Sequence, residues 1–320
     1  MGYRLMIYPW HHSVWSGLQQ ARNKDRLPHA LLFSGDEGCG HEGFMQTLAQ
    51  SLLCLSPDAE GKGCGQCRSC QVFVANAHPD FSLIEAVADK QVISVDQVRT
   101  LSHFLGLSCS YSPVRVALIR EADRMNVNAA NSLLKSLEEP SSHTHILLFS
   151  SRSSTLLPTI RSRCQQIRLA LPETQLAVKW LSAQHPVQDA ATLLHLAGGK
   201  PLYALELDSG ELIAARKIWQ QHLLAALRKN KSIAEVGSEW AAQPRAQLLN
   251  WQLGLVQDLI RHSMGVIRAG MEEETVILSE AVRGKDLWAL YDQLLEMKGL
   301  SAHPLNNQLF AENMLSLWFK

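Results

Sequence analysis

The sequence has no surplus of either charge: 30 Lys and Arg balance 30 Asp and Glu in 320 residues, for a formal net charge of zero. A protein that holds nucleic acid alone through its phosphates carries a basic excess. Any nucleic-acid contact is therefore expected to be shared with partners. Nor does any apolar run approach the roughly 18 residues needed to cross a bilayer. The opening MGYRLMIYPWHH lacks the apolar stretch and small-residue cleavage site of a secretory signal, and the residues after Gly2 lack the Ser or Thr of a myristoylation signal. These absences predict a cytoplasmic chain with no membrane contact. Internal repeats and low-complexity tracts are absent too. Hydrophobic residues at 46% and charged residues at 19% exclude a disordered chain, and the length suggests two or three domains.

What is present first is alternation. Short β-prone runs at His29–Ser34, Phe81–Glu85, Val114–Ile119 and His145–Ser150 are separated by helical patterns. Phe44–Leu53 has helical spacing, Val95, Val98, Leu101 and Leu105 form an amphipathic stripe, and Asn128–Glu139 is a helix closed by Pro140. Such alternation predicts a parallel, doubly wound α/β sheet. After about residue 170 the texture becomes helical. Leu176, Val178 and Leu181, then Leu193, Leu194 and Ala197, keep helical spacing until Gly198, Gly199 and Pro201 break it. From Glu211 onward only helical patterns occur, with Trp219, Trp251, Trp288 and Trp318 spread along them. The reading is three domains: an α/β domain over 1–170, a small helical domain over 171–208 and an all-helical domain over 209–320.

Gly35-Asp36-Glu37-Gly38-Cys39-Gly40-His41-Glu42 follows a strand and opens a helix, the place of a Walker A loop, GxxxxGK[ST]. Gly35, Gly38 and Gly40 supply the backbone geometry that wraps phosphates. The lysine and the magnesium-binding hydroxyl are replaced by His41 and Glu42. As a carboxylate at a helix N-terminus, Glu42 is read as a partial stand-in for the absent phosphate. Where the Walker B aspartate belongs, after Val116–Ile119, stands Arg120, a cation that repels a metal. Glu121 and Asp123 beyond it are expected to be solvated surface carboxylates. No ATP turnover is expected.

Cys54, Cys64, Cys67 and Cys70 are spaced C-x9-C-x2-C-x2-C among Gly61, Gly63 and Gly65. In a reducing cytosol such a cluster points to metal or redox chemistry, and four thiolates close a structural Zn2+ shell. A thioredoxin-like CxxC at Cys64–Cys67 would leave two cysteines unexplained. Cys39, Cys109 and Cys164 are separate. His78-Pro79-Asp80 matches the tripeptide of J-domain cochaperones, but it precedes a strand instead of joining two helices, and reads as a turn at strand entry.

Alone, Arg161 and Arg163 read as solvated or carbonyl-capping residues at a helix end. Their context is more specific. The helix Ala130–Glu139 with Pro140, the triplet Ser162-Arg163-Cys164, the cysteine cluster, the His-Pro-Asp turn and Val95-Asp96-Gln97-Val98-Arg99 together resemble the clamp-loader branch of the AAA+ ATPases, as found in bacterial DNA polymerase III. The resemblance covers the first 170 residues well, the next segment fairly, and the last domain mainly through its helical character and Asn306–Leu317. It implies a RecA-like AAA+ domain with a zinc module at about 54–70, then a small lid and a helical collar. It also implies a five-subunit ring shared with ATP-binding tau/gamma motor subunits and the clamp-opening delta subunit, acting on a sliding clamp and primed DNA in replication. Ser162-Arg163-Cys164 would then present Arg163 as an arginine finger to a neighbour's ATP site. The motors' sensor arginine falls at Leu202, within Gly199-Lys200-Pro201-Leu202-Tyr203-Ala204. Two other readings stand beside this one, a stand-alone AAA+ ATPase and a zinc-dependent nucleic-acid-binding protein. A phosphate-release assay and a DNA titration of the pure chain separate them.

Overall fold

The computed structural model describes residues 5–86, 92–184, 190–207, 211–266, 273–300 and 306–319. The chain divides into two compact units, Met1–Leu176 and Ala177–Lys320.

In the first unit five strands form one parallel sheet: β1 (Ala30–Gly35), β2 (Phe81–Ile84), β3 (Arg115–Ile119), β4 (Thr144–Ser150) and β5 (Gln165–Leu169), in the order β2-β3-β4-β1-β5. Four match the runs anticipated above. The fifth was not anticipated, because Gln165-Gln166-Ile167-Arg168-Leu169 has only two apolar residues. It is an edge strand paired with β1 alone, with its first residues exposed. Each central strand alternates between two cores. Leu31 and Phe33 of β1 pack with Phe44 and Leu48 of helix α2 (His41–Leu53), where Trp15 of α1 (His12–Asn23) also sits. Ala30 and Leu32 face Leu101 of α4 (Val95–Leu105) and Leu133 of α5 (Val127–Glu138). Each fully enclosed Leu or Phe contributes roughly 2 kcal/mol by leaving water.

Local chemistry sets the helix limits. A reciprocal Ser94–Gln97 capping box starts α4, and Asn126 accepts the Ala129 amide to start α5. Two shorter helices complete the unit: α3 (Arg68–Val74) before β2 and, after β4, the one-turn α6 (Pro158–Arg161), which opens on Pro158.

The second unit is helical, and the α7 (Thr174–Gln184) that leads into it spans the boundary. The others are α8 (Ala190–Leu196), α9 (Pro201–Leu207), α10 (Glu211–Leu227), α11 (Ile233–Trp240), α12 (Arg245–Ser263), α13 (Glu273–Ala281), α14 (Leu287–Leu300) and α15 (Asn307–Leu317). Gly198 and Gly199 break the pattern as expected, whereas Pro201 starts α9. Two apolar clusters form here, one from α7–α9 and a larger one around Trp219, Trp240, Trp251 and Trp318. Trp288 stays 57% exposed. Among the described residues, no helix is long and apolar enough to cross a membrane.

Candidate functional site

In an open parallel sheet, ligands bind beyond the carboxyl ends of the strands where the strand order reverses. Here that place is the end of β1, whose neighbours are β4 and β5. The turn Gly35–Gly40 leaves β1 there and feeds α2. Gly35 is required because a Cβ would run into the Leu169 carbonyl across the sheet. Gly40 has φ +84° and caps α2. These glycines thus form a tight strand-to-helix turn.

Side chains pack closely against this turn. Tyr8 lies so close to Gly40 that a Cβ there would strike its ring. Trp10 stacks on Tyr8 at 5.0 Å between centroids and donates its indole N–H to the Cys39 carbonyl at 2.9 Å. His41 lies flat on Phe149 from the end of β4, 3.6 Å between centroids and 5° from parallel. Burial, then the nearby His11 and Arg120, push the His41 pKa down to about 4, against a hydrogen bond to the Asp36 backbone. His11, also enclosed, is pushed down to about 4 by burial and by His12. Both imidazoles are neutral at pH 7. What remains among His41, Glu42, Arg120, Glu121 and Phe149 is a cavity of about 20 Å3, room for a single water.

Arg120 follows β3, in the position anticipated from the sequence, and pairs with Glu85 at 2.9 Å. Burial raises the Glu42 carboxyl above its ordinary value; Arg120 opposes this, while Glu121, Glu85 and Glu37 add to it. Glu121 adopts φ +46° and pairs with Arg124 at 2.8 Å. Asp123 departs from expectation. It is not a solvated carboxylate: its side chain is 3% exposed, accepts the Ser150 hydroxyl at 2.7 Å and pairs with Arg152 at 2.9 Å. Its partners lie far along the chain, and no local pattern marks them.

Beyond β4 the chain makes the turn of α6, and the triplet Ser162-Arg163-Cys164 splits by side. Cys164 points into the core with Leu137 and Ile160, and burial pushes its thiol up to about 11. The Ser162 hydroxyl donates to the Thr159 carbonyl at 3.1 Å. Arg163 projects outward, donating from Nη1 to the Thr159 carbonyl at 3.0 Å and pairing through Nη2 with Glu138 at 2.5 Å. The buried thiol thus anchors a turn that displays a cation.

The four clustered cysteines also come together. Their sulfur atoms all lie within 4.8 Å of one another, and Cys54 and Cys67 are 3.9 Å apart. Four thiolates at ~2.3 Å from one tetrahedral zinc stand about 3.8 Å apart. Backbone amides of Cys64, Cys67 and Cys70 donate to the sulfurs of Cys54, Cys64 and Cys67 at 3.3, 3.3 and 3.4 Å, which suits charged sulfur. The set therefore fits Zn2+ in both spacing and chemistry.

The His-Pro-Asp turn stands at the entry to β2, as anticipated, and does more than turn. His78 Nε2 lies 2.9 Å from the Ser69 hydroxyl of α3 and 3.1 Å from the Ser112 hydroxyl, and both hydroxyls donate to the Leu53 carbonyl at the end of α2. Asp80 accepts three backbone amides, of Ser110, Tyr111 and Ser112. This node ties the cysteine segment to the sheet. Sequence reasoning missed it, although an acid beside a strand entry was its only signal.

The sheet order and the glycine turn at its switch point define a parallel α/β domain with a P-loop-like turn in which His41 stands where the lysine belongs. A family model described as "DNA polymerase III, delta subunit" matches residues 10–173. The chain is 34% identical to the DNA polymerase III subunit delta' of Pseudomonas aeruginosa, over 98% of this chain and 97% of that one. It is 30% identical to the subunit delta' of Escherichia coli, over 94% and 93%. The chain belongs to the DNA polymerase III delta' subunit family. Among solved structures, a gamma subunit-related protein of Thermotoga maritima aligns over 94% of this chain and 98% of that one, at 19% identity and a TM-score of 0.44.

Proposed function

We propose that this chain is a non-hydrolysing subunit of the DNA polymerase III clamp loader that lends Arg163 to the ATP site of an adjoining motor subunit. One contrast supports the reading: in its own loop Tyr8 packs against Gly40 and His41, in place of the lysine, lies on Phe149, whereas Arg163 is displayed on an anchored turn. An arginine offered from outside stabilises the charge that develops on a transferring phosphoryl group. Glu42, carrying its charge near Arg120, takes part of the electrostatic role of the missing phosphate. In this reading the partners are tau/gamma motors and the delta subunit in a five-membered ring, with the sliding clamp and primed DNA reached through the assembly in the cytoplasm. Residues 171–208 act as the lid and 209–320 as the collar. Cys54, Cys64, Cys67 and Cys70 hold Zn2+ with no open position, so the metal gives their segment a fixed shape.

The test is clamp- and DNA-stimulated ATP hydrolysis by the reconstituted loader with wild-type chain or Arg163→Ala. Fingers supplied in trans contribute on the order of a thousandfold at the site they serve, and one site should face this subunit. Turnover is expected to fall severalfold or more with the assembly intact. Unchanged turnover would leave Arg163 a surface cap and the chain a scaffold.

A further inference from the structure

We propose that Glu138 is the positioning residue for Arg163, holding its guanidinium in the pose from which it meets a neighbour's phosphate; this rests on the reading of Arg163 given above. Glu138 is the last residue of α5, where the helix dipole disfavours an acid. The site therefore has a reason other than helix stability to carry a carboxylate there, and Arg163 supplies it.

The geometry fixes a plane. Nη2 meets Glu138 Oε1 at 2.5 Å, while Nη1 donates to the Thr159 carbonyl at 3.0 Å. Two acceptors on two different nitrogens leave the guanidinium little freedom to rotate. They use two of its five N–H donors, which leaves three for an incoming anion. The carboxylate and the arginine turn share one core, since Leu137 and Cys164, the residues beside Glu138 and Arg163, pack in the same cluster.

Exposure argues against a purely structural role. The Arg163 side chain is 35% exposed and that of Glu138 48%, and such pairs add little to stability. A long cation already confined to one rotamer loses less freedom when it meets a phosphate. The opposite role, a brake in which Glu138 competes with the phosphate, predicts the opposite sign and is distinguished by experiment.

The loader is reconstituted with Glu138→Ala, Glu138→Gln, Arg163→Ala and the Glu138→Ala/Arg163→Ala double variant. Assembly is checked by native mass spectrometry, and kcat and KM for ATP are read under clamp and DNA stimulation. Glu138→Ala should lower kcat about twofold or more, but by no more than Arg163→Ala does, with KM little changed, since an ångström of misplacement costs on the order of a hundredfold at the site affected. Glu138→Gln, whose amide oxygen still accepts from Nη2, should recover most of that loss. In the Arg163→Ala background, Glu138→Ala should do nothing further. Faster turnover in either Glu138 variant overturns the proposal, as does a fall that persists without Arg163. Normal turnover in Glu138→Ala beside a damaged Arg163→Ala overturns the role of Glu138 alone. An undamaged Arg163→Ala overturns the finger itself and, with it, any need to position it.

Discussion

Asp80 is fully enclosed and surrounded by donors: three backbone amides, with Arg115 3.4 Å away. Burial pushes its pKa up, but the amides of Tyr111, Ser110 and Ser112, and then Arg115, outweigh it and hold the carboxyl below its ordinary value. Its stabilisation is present above the unfolded pKa and is lost as pH falls through the lower folded one. Asp80→Ala takes the acceptor from three backbone amides and the paired anion from the buried Arg115, which keeps its bonds to the Leu107, Pro79 and Ser108 carbonyls, and should cost about 3–5 kcal/mol, read from urea midpoints; a loss under about 1 kcal/mol would discredit the node. His11 and His41 work in a higher window. An unfolded imidazole takes a proton near pH 6.5, whereas both folded ones resist until about 4. The unfolded state therefore binds more protons between those values, and stability should fall as pH drops from 6.5 to 4. A urea midpoint equal at pH 7 and pH 5 would contradict this. The glycine pattern and the missing lysine were legible at single positions. What fills the loop was not, because Tyr8, Trp10 and Phe149 reach Gly40, Cys39 and His41 from elements that no local pattern connects.

At the scale of elements, strands β1, β3 and β4 and helices α2, α4 and α5 could be read from apolar periodicity, since they lie in the middle of the sheet or against it, and the edge strand β2 could be read because three of its four residues, Phe81, Leu83 and Ile84, are apolar. β5 could not, being a half-exposed edge with two apolar residues, and α6, a single turn, was read only as a helix end at Arg161 and Arg163. The cysteine segment was legible by spacing alone, but its attachment was not. Trp15 donates to the Glu60 carbonyl at 2.8 Å, Ser51 to the Gly61 carbonyl, and Ser69 to the Leu53 carbonyl. These bonds hold the segment from α1, α2 and its own α3. Elemental analysis should find one zinc per chain, and Cys67→Ser should lose it. After chelation, amide exchange should quicken over residues 54–74 while β1, β3 and β4 stay protected. Equal quickening in the sheet would mean that the cluster supports the whole first unit.

For the whole molecule, the strand-helix alternation and the later helical run gave the order of architectures correctly. Trp219, Trp251 and Trp318 entered a core and Trp288 did not; helical spacing alone assigns all four alike, because exposure depends on which faces meet. The proposed loss of nucleotide binding has a consequence for the intact chain. A micromolar nucleotide site would add about 4 kcal/mol of stability at 1 mM ATP. The melting temperature of the pure chain should instead be the same with and without 1 mM Mg-ATP, and a rise of several degrees would reopen the question of what Glu42 replaces.

Trp10, stacked on Tyr8 and bonded to the Cys39 carbonyl, also gives the glycine loop an optical signature. Its emission depends on that bond and that ring, so the difference spectrum between the wild-type chain and Trp10→Phe isolates one fluorophore among eight tryptophans. Followed in time during assembly with motor subunits, that single band reports whether the loop ever opens, in a protein that needs no added dye.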